Sequence, residues 1–360
     1  MTLEVAHERL RTQHLTGAPL ASAEAVVGYF GAMQAQEYPY AKWSIGQRTV
    51  GLTDAAVDGM LAAGSILRTH ILRPTWHFVL PADIRSIMSV TAPRVGVFNR
   101  HWLRKEELDP QTLARSQDVI TAALAVGRLT RKEIQTALAE AGIVASSVRF
   151  GLILMQAELD LLIVSGGLRG KQHTYALLDE VVPVSPALPL DEALAALTRR
   201  YFTSHGPSTI ADFTWWSSLT VAEVKRGLAM VGPDLERRTI DGTDYWSGSP
   251  PRADVTTGPG PIVHMVQGFD ESVIGYQKTR PALDVAGIGP EPNSFVDGFI
   301  HPILVDSQIA GLWRRTADKG RMVIETRLLR PLSGSEQDVL EAEVARYAEF
   351  VQVPAELASG

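Results

Sequence analysis

Apolar positions along the chain recur with two different periods, and the period switches repeatedly. Helical spacing runs over 3–13, 22–33 and 53–62, where Thr53 or Asp54 stands in position to cap the first turn. Residues 66–72 and 75–80 alternate instead, around Arg73-Pro74, and predict a hairpin. Residues 82–105 read as helical or mixed, with Pro93 as an interruption. Thr130-Arg131-Lys132-Glu133 is a capping-box pattern that opens a helix to Glu140, closed by Gly142. A helix over 147–158 then precedes 161–165, Gly166-Gly167 and 174–178, a second hairpin. The order recurs once more. Helices are expected over 191–204, over 208–215 with Ser208 as cap, and over 220–230 behind a second capping box, Thr220 to Glu223. Residues 238–240 and 243–246 then flank Asp241-Gly242, a dipeptide favoured in two-residue hairpin turns.

Helices followed by a hairpin, three times over, predict three tandem winged-helix units, a repeat of architecture and not of sequence. Their bounds are 1–110, which includes a basic helical extension, 111–185 and 186–250, with proline-rich 182–189 as a linker. Past a Gly- and Pro-crowded stretch at 247–261, strands dominate: 262–266, 298–305, 308–314 and 321–329. They predict a small antiparallel β-barrel over 251–360, covered by a helix at 335–350, so that the fold class is α+β. Residues 277–297 are the best loop for reaching into a ligand.

Composition narrows the classes. With 45% hydrophobic and 21% charged residues in 360, the chain suits an ordinary soluble protein of two or three domains. The longest apolar run, 152–164, is broken by Gln156, Glu158 and Asp160, too short and too charged for a membrane span. The N-terminus lacks the basic start and apolar core of a signal peptide, so a cytoplasmic location is expected. Absence of cysteine excludes disulfides, thiolate nucleophiles and Cys-based metal sites. His70 and His77, seven apart across Arg73-Pro74, fit no common metal spacing, and neither metal nor cofactor is expected.

A net charge of −6 argues against a nucleic-acid binder, but its distribution argues for one. Between 66 and 105 seven cations (Arg68, Arg73, Arg85, Arg94, Arg100, Arg104, Lys105) face only Asp83. Between 309 and 330 six (Arg314, Arg315, Lys319, Arg321, Arg327, Arg330) face Asp318 and Glu325. The acids crowd 336–356, so a basic groove on an acidic protein is allowed.

Chemistry concentrates in Gly31-Ala-Met-Gln34-Ala35-Gln36-Glu37-Tyr38-Pro39-Tyr40. In extended chain Gln34 and Gln36 share a face, about 6 to 7 Å apart at roughly 3.3 Å per residue, with room for one water between them. On a helix they diverge by about 200°. Pro39 disfavours helical backbone at Tyr38 and Gly31 weakens the helix before it, which places the pair where helix gives way to irregular or extended chain. On spacing alone, such a pair is most often simply solvated.

That stretch, followed by Leu67-Arg68-Thr69-His70-Ile71-Leu72-Arg73-Pro74-Thr75-Trp76-His77-Phe78-Val79, resembles the AlkZ/YcaQ-type winged-helix DNA glycosylases. Gly268-Phe269-Asp270-Glu271 and the run from Val305 to Arg315 resemble the same family's C-terminal part, so the similarity spans most of the chain. Gln at position 36 matches the Gln-apolar-Gln branch, typified by the azinomycin-resistance enzyme. The resemblance implies excision of alkylated bases and unhooking of interstrand crosslinks, with Gln34 and Gln36 as catalytic residues and a role in self-resistance to a DNA-alkylating product. Guanine alkylated at N7 is a cationic leaving group, so two neutral amides that orient water suffice, mostly by positioning. Only Lys42 lies near the motif, which favours monofunctional hydrolysis over Schiff-base chemistry.

Duplex DNA carrying alkylated bases is the expected partner of a monomer. Arg68, His70, Arg73 and His77 on the first hairpin, with Lys278, Arg280, Arg314 and Arg315, are the expected DNA contacts. Glu37, Asp270 and Glu271 are possible accessories: Glu37 either polarises the water or holds a backbone amide, and Asp270-Glu271 more readily anchors structure. Trp76 and Trp215-Trp216 are expected to pack. Two alternatives stay open: a non-enzymatic winged-helix regulator, disfavoured by the few cations on 131–140 and 220–230, and a lesion-binding protein without catalysis.

Overall fold

Gly31 sets the geometry of the first region. Ser22 caps the helix Ala23–Phe30 by accepting from the Ala25 amide, and Gly31 ends it at φ 82°. A Cβ at that glycine would lie 2.7 Å from Arg200 Cδ, and its positive φ suits glycine best. The chain leaves in a new direction as the short strand Ala32–Gln34, which joins the expected hairpin, Leu67–His70 and Trp76–Val79. Trp76–Val79 lies in the middle of this sheet, with His77 opposite both Gln34 and Thr69. The computed structural model describes residues 3–184, 186–248, 260–290 and 298–358, and within them the fold is mixed α+β.

Pro39 does not keep the chain extended. It sits in the first turn of a helix, Tyr38–Gly46, where its missing N–H has no intrahelical partner to lose. Pro93 likewise lies within a continuous helix, Pro81–Lys105, and does not divide it. Its buried face of Ile84, Ile87, Met88, Val90 and Val95 offsets the lost backbone bond. The helix Pro110–Leu124 has no counterpart in the sequence expectations, although Asp109 caps it and Pro110 opens it.

The next unit carries the capping box of Thr130 and Glu133 on the helix Arg131–Glu140, then Ser147–Leu159. Its ribbon, Ile163–Arg169 with Gln172–Leu177, turns at Gly170-Lys171. Gly166-Gly167 instead lies inside the first strand, where the register shifts. A Cβ on Gly167 would stand 2.9 Å from Ala62 Cα, so the glycine lets this strand press on the helix Asp54–Ala63. In the third unit Thr209, not Ser208, caps Ile210–Ser217, while Ser208 exchanges backbone bonds with Trp246. The ribbon Leu235–Ile240 and Thr243–Gly248 turns at Asp241-Gly242 as expected.

The C-terminal strands do not close into a barrel among the described residues. Five of them lie in the order Ala355–Leu357, Arg321–Leu328, Gln308–Asp318, His301–Val305, Val263–Met265, and the two edges do not pair. The last strand runs parallel to its neighbour because the helix Gly334–Val351 carries the chain back first. That helix packs Val344, Tyr347 and Phe350 with Trp43 and Trp313. The expected ligand loop also behaves differently: Arg280–Leu283 is a tight turn whose Ala282 and Leu283 are buried, and residues 291–297 lie outside the described residues. No helix among the described residues is long and apolar enough to cross a membrane.

Candidate active site

Gln34 is the last residue of its strand and is 5% exposed. Its backbone N–H donates to Glu271 Oε1 at 2.8 Å, and its side-chain Oε1 accepts from Arg73 Nη2 at 2.9 Å. The chain then bends. Ala35 N–H still reaches Trp76 O at 2.7 Å, but Gln36 lies beyond the strand, its Oε1 accepting from the Trp76 amide at 3.3 Å. Gln36 therefore lies outside the paired strand, and the two glutamines line different cavities. Gln34 opens onto a cleft of about 1300 Å³, whereas Gln36 opens onto a separate cavity of about 720 Å³. Arg73 and the Trp76 amide can only donate, so each glutamine turns its oxygen to the protein and keeps its NH2 donors for a ligand.

Glu271 anchors this segment from behind. One oxygen holds the Gln34 amide, and the other accepts from Trp216 Nε1 at 2.7 Å and His205 Nε2 at 2.9 Å. A carboxylate only accepts, so His205 carries its proton on Nε2; burial holds its pKa down, against the opposing pull of Glu271. Asp270 forms a two-point bridge with buried Arg48 at 2.8 and 2.9 Å and accepts from Ser272 N at 2.9 Å. Burial raises its pKa, yet Arg48 and these bonds outweigh that and hold it at about 2. Both acids are structural anchors in this arrangement, and neither lines the two cavities.

The expected DNA contacts divide. Arg68 is buried, donating from Nε to Ala35 O at 3.1 Å, its guanidinium 4.5 Å above Trp76 and 5.5 Å from Tyr38, and it lines the smaller cavity. Arg73 lines the larger one, 5.7 Å from Trp215; burial lowers its pKa, opposed by Glu271. His70 is buried against Glu158 through Nδ1 and is turned away from solvent. His77 is fully buried: Nδ1 donates to Thr75 O at 2.8 Å, and burial beside Arg73 keeps the ring neutral. Neither histidine is placed to touch phosphate, because alternation in this sheet leads to two covered faces.

Lys278 is exposed and Arg280 half-buried, at a distance in sequence from the motif that the fold shortens through Gln277, which lines the larger cleft. The second basic block is largely neutralised. Arg314 pairs with Glu325 at 2.5 Å, Arg321 with Glu356 at 2.7 Å and Arg330 with Glu336 at 2.8 Å. Arg315 bonds Tyr347 Oη and stands 4.8 Å from the Tyr40 ring; burial raises the Glu37 pKa, and Arg315 only partly opposes this.

The two cavities differ in lining. Around Gln34 and Arg73 stand Phe98, Trp102, Val148, Leu152, Met155, Trp215 and Val221. Trp215, at 39% exposed, faces this cleft, whereas Trp216 is fully buried; the tandem tryptophans do not both pack. Gln36 shares its cavity with Glu37, Tyr38, Tyr40, Arg68, Trp76, Arg131, Lys132 and His173. Arg131 and Lys132 belong to the second unit and were legible as the start of a capped helix and as its few cations, not as neighbours of Gln36. Burial, then Arg68, lowers the His173 pKa to about 4, so the ring adds no charge at neutral pH. No group of acids and histidines among the described residues could hold a metal ion.

An "Interstrand DNA cross-link repair glycosylase" of Streptomyces sahachiroi is 24% identical over 325 residues, 85% of each chain. The solved structure of "Streptomyces sahachiroi DNA glycosylase AlkZ" superposes with a TM-score of 0.79 at 21% identity over 99% of both chains, a likeness of fold. Residues 27–350 match the family described as "DNA glycosylase AlkZ-like", and the chain belongs to that family of DNA glycosylases.

Proposed function

We propose that the protein hydrolyses the N-glycosidic bond of N7-alkylated guanine in duplex DNA, including bulky and crosslinked adducts, with Gln34 and Gln36 as its catalytic residues. The observation that carries this reading is the Gln34-Ala35-Gln36 segment itself, with Gln34 lining one cavity, Gln36 the other and both amide oxygens accepting from donors of the protein. Oriented donors suit a step in which the base is already cationic and leaves without an acid. Opening of crosslinks is supported by the name of the S. sahachiroi relative and by the size of the cleft beside Gln34. Self-resistance to a DNA-alkylating product is the biological role that such chemistry suits.

In this reading the three helix-and-ribbon units, 1–110, 111–185 and 186–250, act as winged helices, with 251–360 as the unit that closes on them. Arg68 and Arg73 steady the site, and Arg131, Lys132, Lys278, Arg280 and Arg315 are the contacts for phosphate.

The test is release of free base from a duplex carrying one N7-alkylguanine. Wild-type protein releases it, and Gln34→Ala and Gln36→Ala each slow release on the order of 10²-fold, the loss typical of one oriented donor. Undiminished release in both variants removes these residues from the reaction.

A further inference from the structure

We infer that Glu37 is the base of the reaction, taking the proton of the attacking water, and that His301 holds it in place. The inference rests on the glycosylase reading above. Its starting point is a gap in that reading: hydrolysis liberates a proton, and an amide cannot take one at neutral pH. The Gln36 oxygen is engaged by the Trp76 amide, which leaves its NH2 donors, so a water that it holds is gripped through its oxygen, with its hydrogens still needing an acceptor.

Among the described residues lining the two cavities, Glu37 is the single carboxylate, and it lies next to Gln36 in the smaller one. Asp270 and Glu271 are committed elsewhere and covered. Glu37 is also unencumbered by the role that its position suggests: it precedes the helix Tyr38–Gly46 but makes no capping bond to it. Its Oε2 instead faces His301 Nε2 at 3.3 Å. The tautomer of His301 is forced, because the Gly268 N–H donates to its Nδ1 at 3.0 Å and the proton must therefore sit on Nε2, the ring nitrogen nearest Glu37. Tyr40 stacks on that imidazole at 3.8 Å and accepts from the Arg315 amide through its hydroxyl, which fixes the ring.

The charged and titratable groups around Glu37 are few. His301 stays neutral, since burial and then Arg315 push its pKa down to about 3. Arg315 stands on the neighbouring strand, Tyr40 on its own helix, and Arg68, Arg131, Lys132, Tyr38, Tyr175 and His173 line the rest of the cavity. Burial raises the Glu37 pKa above the ordinary carboxylate value, and Arg315 only partly opposes this. A raised pKa makes the carboxylate a better base.

The step balances. Water oxygen bonds to C1′ as the C1′–N9 bond breaks, and the bonding pair returns to the base, which leaves as neutral alkylguanine. The water proton passes to the Glu37 carboxylate and from there to solvent.

Single-turnover release from a duplex with one N7-alkylguanine, corrected for the enzyme-free rate, is measured against pH for wild type, Glu37→Gln and Glu37→Asp. Toward acid pH the substrate stays cationic, so a fall in rate on that side belongs to the enzyme. We expect that fall in wild type, a loss of about 10²-fold in Glu37→Gln with the acid limb gone, and partial recovery with the limb restored in Glu37→Asp. DNA affinity, read by anisotropy, stays within about threefold. A wild-type profile without the limb, or a limb that persists in Glu37→Gln, overturns the role of Glu37 while leaving the glycosylase reading intact. Wild-type protein that releases no base overturns both.

Discussion

The two ends of the Gln34-Ala35-Gln36 segment are held in opposite ways. At Gln34 everything behind the residue is covered and committed: Glu271 satisfies three donors at once, and Arg73 fixes the carboxamide. In front lies a wide apolar cleft with Phe98, Trp102 and Trp215 on its walls. At Gln36 the anchoring is a single 3.3 Å bond from a backbone amide, and the cavity is smaller, cationic and aromatic. A firmly held glutamine beside a mainly apolar cleft on one side, and a lightly held one in a cationic, aromatic cavity on the other, suggest a division of work. The first side orients and accommodates; the second attracts phosphate and moves the proton.

Removing the anchor attacks the rigid side most directly. Glu271→Ala leaves the Gln34 amide, Trp216 Nε1 and His205 Nε2 without their acceptor in a region 1% exposed. At about 1 to 3 kcal/mol for each orphaned donor, partly relieved by loss of the buried charge, the cost is on the order of 3 to 5 kcal/mol. Denaturant unfolding should show it as a lower midpoint with unchanged slope. A loss below about 1 kcal/mol means that the segment is held by something other than Glu271.

The charged side is tested by salt. Arg131→Ala with Lys132→Ala removes two cations from the Gln36 cavity, and the plot of log affinity for undamaged duplex against log salt should lose about two units of slope. Affinity at low salt falls about tenfold. An unchanged slope places the DNA backbone elsewhere and breaks the proposed division.

Why one side was easier to read from sequence than the other follows from range. The capping boxes at Thr130/Glu133 and Thr220/Glu223 and the Asp241-Gly242 turn depend on residues within four positions of each other, and each forms as expected. Asp109-Pro110 carried an equally local signal for the helix it opens. Glu271 meets Gln34 across 237 positions, and Asp270 meets Arg48 across 222, so neither partner announces the other. Cation counts along the chain misled for the same reason. They weighted Arg314, Arg321 and Arg330, which the fold pairs with acids, and passed over Arg131 and Lys132, which it carries to Gln36. The fold class was legible in periodicity; sheet closure was not, because it depends on where the last strand returns.

The smallest expected effect distinguishes cleft from core at adjacent positions. Trp216 is fully buried and donates to Glu271, whereas Trp215 is 39% exposed on the cleft wall with Arg73 at 5.7 Å from its ring. At that separation a cation–π contact contributes about 0.5 to 1 kcal/mol, and truncation leaves no cavity in the core. Trp215→Ala should therefore destabilise by less than about 1 kcal/mol, while Trp216→Ala costs about 3 to 5 kcal/mol. The DNA salt slope should not move in Trp215→Ala, since no phosphate charge is neutralised by an indole. Equal losses at the two positions would mean that Trp215 packs after all, and that the cleft beside Gln34 is narrower in solution than its lining implies.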